Sequence, residues 1–109
     1  MSEEISDSDV LRAKLNAETA EISWMELQRP HAAGNVIQVS ATLDLVEVGA
    51  HFVTDNSAKI QTWTTAGDIQ PVTDTQAAAW VVVNQTLWAL VISPWVLVQD
   101  KQEDENKSE

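Results

Sequence analysis

The sequence lacks several residue types on which common protein chemistries depend. It has no cysteine among its 109 residues, which excludes disulfides, thiolate metal sites and cysteine nucleophiles. Its three glycines are isolated from one another, whereas a loop that cradles phosphate needs several close together. No stretch has the form of a nucleophile elbow. These absences leave an enzymatic function less well supported than a non-enzymatic one.

Positive charge is also scarce. Six basic residues oppose 17 acidic ones and give a formal net charge of -11. Proteins that bind nucleic acid neutralise its phosphates with lysine and arginine, so we expect no nucleic-acid partner. Much of the acid lies at the two ends of the chain. We therefore predict acidic disordered tails at residues 1–9 and 100–109 and a single domain at residues 10–99.

The acidic tails have two explanations. In the first, their charge keeps an apolar domain in solution. In the second, they dock on a protein partner with a basic surface. The composition favours the first explanation, because short charged ends of this kind are common on soluble domains.

Residues 75–99 contain no charged side chain, and a segment of that length would cross a bilayer. The polar cluster at residues 84–86 and Pro94 argue against a span, because buried polar groups in lipid need internal partners. The N-terminus is acidic and lacks the apolar core of a secretory signal. We expect no membrane span and a cytoplasmic location.

The remaining sequence is rich in periodic apolar residues. Residues 36–40 and 87–99 have the composition of strands, and Pro94 within the second predicts an edge position or a bulge. Residues 68–73 are predicted to be a loop. Helical spacing or helix-start signals occur near residue 9 (a stripe through Leu11, Leu15, Ile22 and Met25), near residue 24, at 42–54, at 57–67 and from 74. The sequence thus predicts an α+β fold, with a small, mainly antiparallel sheet packed against three to five short helices on one side.

Asp44, Glu47 and His51 form the best candidate site, because spacings of three and four place them on one face of a helix. Two carboxylates and an imidazole are able to hold a divalent metal or to act in acid–base catalysis. The alternatives are an interaction surface, or a solvated face with a weak Glu47–His51 pair. If residues 43–48 instead extend the preceding strand, the shared face disappears.

Five tryptophans are the other conspicuous feature: Trp24, Trp63, Trp80, Trp88 and Trp95. In a small domain such rings usually fill the core, and exposed ones contact ligands or partners. Trp88 and Trp95 lie in apolar strand segments and are predicted to be buried. Trp24 and Trp63 have polar neighbours near helix starts, so we predict them to be partly exposed contact residues.

Several short stretches together resemble a family of small bacterial proteins of unknown function. They are Ser23–Leu27, Leu43–Val48, Asp55–Asn56, Trp63, Gln76–Trp80 and Pro94–Gln99. The resemblance covers about residues 10–99 and leaves both predicted tails outside. It implies a compact single domain in a bacterial cytoplasm and supplies no activity or functional residue.

The predicted sheet has few strands for such an apolar C-terminal segment. An exposed sheet edge or apolar face favours self-association. We therefore predict a non-enzymatic interaction protein that forms a homodimer and needs no cofactor. The alternative is a small metal- or ligand-binding enzyme that uses the face formed by Asp44, Glu47 and His51.

Overall fold

The structure is a computed structural model that describes residues 7–101. Within these residues the chain forms five α-helices, one 3-10 helix and five strands. In chain order they are α1 (Asp7–Glu18), β1 (Ala20–Ser23), the 3-10 helix (Trp24–Leu27), α2 (Gln28–Ala32), β2 (Val36–Val39), α3 (Leu45–Val53), α4 (Ser57–Ala66), β3 (Ile69–Pro71), α5 (Asp74–Val83), β4 (Thr86–Ile92) and β5 (Trp95–Asp100). The predicted α+β fold is confirmed.

All five strands belong to one sheet, in the order β1–β4–β5–β2–β3. Neighbouring strands run antiparallel except for β2 and β5, which are parallel. The predicted strands at 36–40 and 87–99 correspond to β2, β4 and β5, the three inner strands. The two outer strands were not predicted: β1 contains Ile22 of the supposed helical stripe, and β3 lies in the supposed loop 68–73.

Pro94 lies in the turn between β4 and β5. Ile92 pairs with Trp95, and the pairing continues without interruption to Leu87 and Asp100. Ser93 and Pro94 are therefore the two residues of a tight hairpin loop, and the peptide bond between them is cis. The predicted edge position or bulge was wrong, because a proline in the turn removes no hydrogen bond from the ladder.

Apolar side chains cover both faces of the sheet. On one face, which we call the α3 face, Leu90 and Leu97 pack with residues of α1, α3 and α4. On the other, the α5 face, Ala89 and Val98 pack with residues of the 3-10 helix and α5. The prediction that all helices lie on one side was wrong. Successive residues of β4 and β5 point to opposite faces, so their unbroken apolar runs require helices on both.

Local hydrogen bonds set the ends of the helices. α3 begins at Leu45 because the Asp44 side chain accepts hydrogen bonds from the main-chain N–H groups of Val46 and Glu47. The helix predicted at 42–54 is thus confirmed with a later start. Thr73 caps α5 in the same way. Gly67 ends α4 in a left-handed conformation, as its sequence position indicates.

Gly49 lies inside α3, where glycine lowers helix propensity. The structure gives the reason for its presence. A β-carbon at this position would lie 2.6 Å from Cδ2 of Leu90, a fully buried side chain of β4. The missing side chain therefore allows α3 to lie close against the sheet.

Regular structure extends past both limits of the predicted domain at 10–99, because α1 begins at Asp7 and β5 ends at Asp100. The rest of the predicted tails, residues 1–6 and 102–109, lies outside the described residues. The uncharged segment 75–99 is divided among α5, β4 and β5. Within residues 7–101 no helix combines the length and the apolar character needed to cross a membrane.

Candidate functional site

The three residues of the predicted polar face do not converge. Asp44 stands before the helix and uses Oδ1 to cap α3, at 2.9 Å from the N–H nitrogen of Val46. Glu47 and His51 lie one turn apart on the helix itself, with Glu47 Oε2 and His51 Nε2 separated by 3.1 Å. Among the described residues, no three acidic or histidine side chains are placed to hold a metal ion. The described geometry therefore lends no support to metal binding at this face.

Glu47 and His51 instead belong to a network that joins three helices. Arg12 of α1 donates from Nε to Glu47 Oε1 at 2.8 Å, and its Nη2 lies 2.7 Å from the same oxygen. On the far side, Asn56 Nδ2 lies 3.0 Å from His51 Nδ1. We call these four residues the Arg12–Asn56 network. It connects α1, α3 and the start of α4.

The hydrogen bonds of this network assign the proton of His51. Asn56 Oδ1 accepts from the N–H of Lys59, which leaves its Nδ2 as the donor to His51 Nδ1. Nε2 then carries the hydrogen and donates it to Glu47. The His51 ring also meets Trp63 edge-on, with ring centroids 5.3 Å apart. Both ring nitrogens are engaged, so this histidine has a structural role.

The pKa of the Glu47 carboxyl is lowered from its ordinary value. The main cause is the hydrogen bond from the Arg12 guanidinium, burial acts in the opposite direction, and His51 adds a smaller lowering. Glu47 is thus held as an ionised anchor between two donors. A carboxylate held in this state is a weak general base.

For three of the tryptophans the burial is the reverse of the prediction, and Trp95, predicted to be buried, is half-buried. Trp24 and Trp63, predicted to be partly exposed, are only 1% and 7% accessible. Trp24 packs against Trp80 with ring centroids 5.2 Å apart. Trp88, predicted to be core, is 37% exposed, with Lys101 Nζ 5.4 Å from its ring centroid. Polar neighbours in sequence misled the prediction, because a tight 3-10 turn and the inward face of α4 bury these rings.

A cleft of about 450 Å³ opens on the α3 face, between α4, the end of α3 and the strands β2, β3 and β5. Its apolar lining comprises Ile37, Phe52, Ile60, Ile69, Pro71, Ile92, Pro94 and Trp95, and its polar lining comprises Asp55, Ser57, Thr64, Gln70 and Ser93. Sequence reasoning missed it. The lining comes from separate segments, and the parallel pairing of β2 with β5 that unites them has no local sequence pattern.

A second unpredicted feature lies on the α5 face. Val81, Val82 and Val83 of α5 and Val91 of β4 are exposed, Val82 to 83% and Val91 to 61%. Val91 points to the same face as its alternate neighbour Ala89, which belongs to the same core cluster as Ala77 and Trp80 of α5. We call these four residues the valine surface. The run of three valines in sequence was the available signal.

The comparisons with known proteins agree with the fold. The chain is similar to PA1075 from Pseudomonas aeruginosa, known from an NMR solution structure, with 38% sequence identity, a TM-score of 0.77 and coverage of 99% of this chain and 100% of that one. No curated protein matches it. Residues 10–100 match the model of a family described as "Protein of unknown function (DUF2288)". The resemblance noted in the sequence is thus confirmed, and the chain belongs to the DUF2288 family.

Proposed function

We propose that the protein is a non-enzymatic, cytoplasmic interaction protein that acts as a homodimer, with the valine surface as the contact between its two copies. The observation that carries the proposal is the exposure of Val82 and Val91 on one face of the sheet. Of the eight exposed large hydrophobic residues in the described chain, five lie on the α5 face: Met25, Val81, Val82, Val83 and Val91. Exposed apolar groups gathered on one side are typical of protein contacts.

The distribution of charge favours a second copy of this chain as the partner that covers the valine surface. Two copies of a chain with a formal charge of -11 repel each other in most relative orientations. Between Asp74 and Asp100 there is no charged residue, so contact through the outer side of α5 and the end of β4 brings the fewest acids together. A twofold axis would place the same surface on both partners. A basic partner would instead select an acidic surface.

The sheet edges are poorer contacts. β3 has only three residues and includes Pro71, which has no N–H to donate. On the opposite edge, the Glu21 side chain of β1 is exposed and accepts a hydrogen bond from Lys101 Nζ at 2.7 Å. Charges and prolines on edge strands oppose pairing with another chain. The valine surface is therefore the better site for self-association.

The test is the oligomeric state of a Val82→Glu/Val83→Glu variant, measured by size-exclusion chromatography with light scattering. We expect the parent chain to be a dimer at high micromolar concentration and the variant to be a monomer, because the interface would then bury charge. The matched control is Val10→Glu/Val53→Glu, which adds the same charge at two exposed valines of α1 and α3. This control should remain dimeric.

Two results would overturn the proposal. One is a parent chain that stays monomeric at high micromolar concentration. The other is a dimer that survives the change at Val82 and Val83, which would move the contact to another surface. Circular dichroism of both variants should match the parent, since none of the four valines is buried.

A further inference from the structure

We propose that the cleft on the α3 face is a binding site for a small organic cation with an apolar body, such as a protonated amine on an aromatic or branched hydrocarbon. The cleft measures about 450 Å³, which is within the range of pockets that hold small molecules. It lies on the opposite side of the sheet from the valine surface. The two proposals are therefore independent of each other.

The apolar part of the proposal rests on five large side chains that the fold leaves half-buried around the cleft: Ile37, Phe52, Ile60, Ile92 and Trp95. Each of them packs against the core of the α3 face with part of its surface. The remaining surface borders the cleft. A compact apolar ligand would remove that surface from water, which is favourable by about 25 cal/mol per Å².

The charge of the ligand follows from the rim. Of the described residues that line the cleft, Asp55 alone carries a charge. No lysine, arginine or histidine in that part of the chain lines it, so a bound anion would lack a counter-charge. An ammonium group near Asp55 would gain an ion pair, and the rim hydroxyls of Ser57, Thr64 and Ser93 would accept its remaining hydrogens.

The main chain fixes the position of Asp55. This residue follows α3 in a left-handed conformation, with φ of 56°. Its N–H donates to the carbonyl of Phe52, and its carbonyl accepts from the N–H of Ser57. The turn is also held by the Arg12–Asn56 network, whose last member adjoins Asp55. Asp55 is thus held at the rim of the cleft by a constrained turn between two helices.

The experiment compares three probes of similar shape by NMR titration of the full-length, isotope-labelled chain. They are 2-phenylethylammonium, the neutral 2-phenylethanol and the anionic 3-phenylpropionate. We expect the cation to bind most tightly, with a Kd of about 1 mM as is usual for a fragment of this size. Shifts should concentrate on the Trp95 indole and the methyl groups of Ile37, Ile60 and Ile92.

Two pairs of variants give the proposal its controls. Asp55→Asn should weaken binding of the cation about two- to fivefold and leave the neutral probe unchanged, because the ion pair is exposed. Glu26→Gln removes the same charge from the 3-10 helix, away from the cleft, and should change neither. Thr64→Phe should fill the cleft and abolish all binding, whereas Thr62→Phe, on another side of α4, should not.

Three results would overturn the proposal. The first is tighter binding of the anion than of the cation, which would mean that Asp55 does not select the ligand. The second is an equal effect of Asp55→Asn and Glu26→Gln, which would reduce the preference to the net charge of the chain. The third is the absence of shifts at the cleft residues with any probe.

Discussion

The two faces of the sheet share the same apolar strands but differ in how their helices are held. On the α3 face, the Arg12–Asn56 network ties α1, α3 and α4 together through hydrogen bonds between side chains. On the α5 face, ring contacts predominate, with Trp24 packed against Trp80 and against the His31 imidazole. In the same layer, His31 Nε2 lies 3.9 Å from Asp74 Oδ1.

This difference bears on what each face leaves exposed. On the α3 face, the cleft lies between α4, the end of α3 and the strands. On the α5 face, Trp24 and Trp80 are buried, and apolar residues of α5 such as Val82 remain exposed. The face whose helices are joined by polar contacts thus carries the cleft, and the face whose contacts are mainly apolar carries the exposed valines.

The largest expected effect is the loss of Trp24, which fixes the α5 face. Trp24→Ala should lower the free energy of unfolding by about 3–5 kcal/mol, because it leaves a large cavity beside Trp80. Urea unfolding followed by circular dichroism measures the change. Trp88→Ala, at a ring of the α3 face that is 37% exposed, should lower it by about 1 kcal/mol. Equal losses would show that the burial of a ring does not decide how much it stabilises the fold.

A smaller effect is expected at Gly49, where α3 approaches the sheet. Gly49→Ala should lower the free energy of unfolding by about 1–2 kcal/mol, because overpacking against Leu90 exceeds the gain in helix propensity. In a Leu90→Val background, the shorter side chain should reduce that loss. A double-mutant cycle in urea measures the coupling. An unchanged loss would mean that the contact with Leu90 does not set the distance between helix and sheet.

The smallest effect is expected from the Arg12–Asn56 network, through Glu47. The pKa of the Glu47 carboxyl is lowered in the folded protein. The ionised carboxylate therefore stabilises the fold fully above its ordinary pKa of 4.5, and this stabilisation is lost as the pH falls through the pKa of the folded state. Because the Glu47 side chain is 41% exposed, solvent screening limits the contribution to less than about 1 kcal/mol.

Glu47→Gln tests this expectation. The variant should be less stable than the parent at pH 7, and the two should converge as the pH is lowered below the folded pKa, since the parent carboxylate is then protonated. Urea unfolding across this range measures both. Asp68→Asn, a carboxylate outside the network, supplies the control. If the free energies of unfolding of the parent and of Glu47→Gln differed by the same amount at every pH, the charge of Glu47 would not contribute to stability.

Local patterns in the sequence were sufficient to predict α3, α4, α5 and the inner strands, whereas the stripe predicted through Ile22 and Met25 runs past the end of α1 at Glu18. Leu45–Val53 follows a capping aspartate and has helical spacing, and the apolar runs at β4 and β5 have strand composition. The outer strands are too short for such patterns. β1 and β3 have four and three residues, and their conformation is imposed by the neighbours with which they pair.

The candidate site was predicted less well, because its contacts are distant in sequence. The Glu47–His51 pair is one helical turn apart and was anticipated. Arg12, which lowers the pKa of Glu47, is 35 residues away and leaves no local trace. Trp24 has polar sequence neighbours yet is buried, since the rings it meets come from other segments.

The place of β5 in the sheet has a consequence for the order in which the molecule assembles. β5 follows every other described element in the chain, yet it lies in the middle of the sheet, where it alone connects the β1–β4 pair to the β2–β3 pair. A nascent chain that has not yet exposed residues 95–100 therefore lacks the strand that joins the two parts of the sheet. Neither the cleft nor the core is complete until this final strand has joined the sheet. A chain that ends before Trp95 lacks the connection between the β1–β4 pair and the β2–β3 pair.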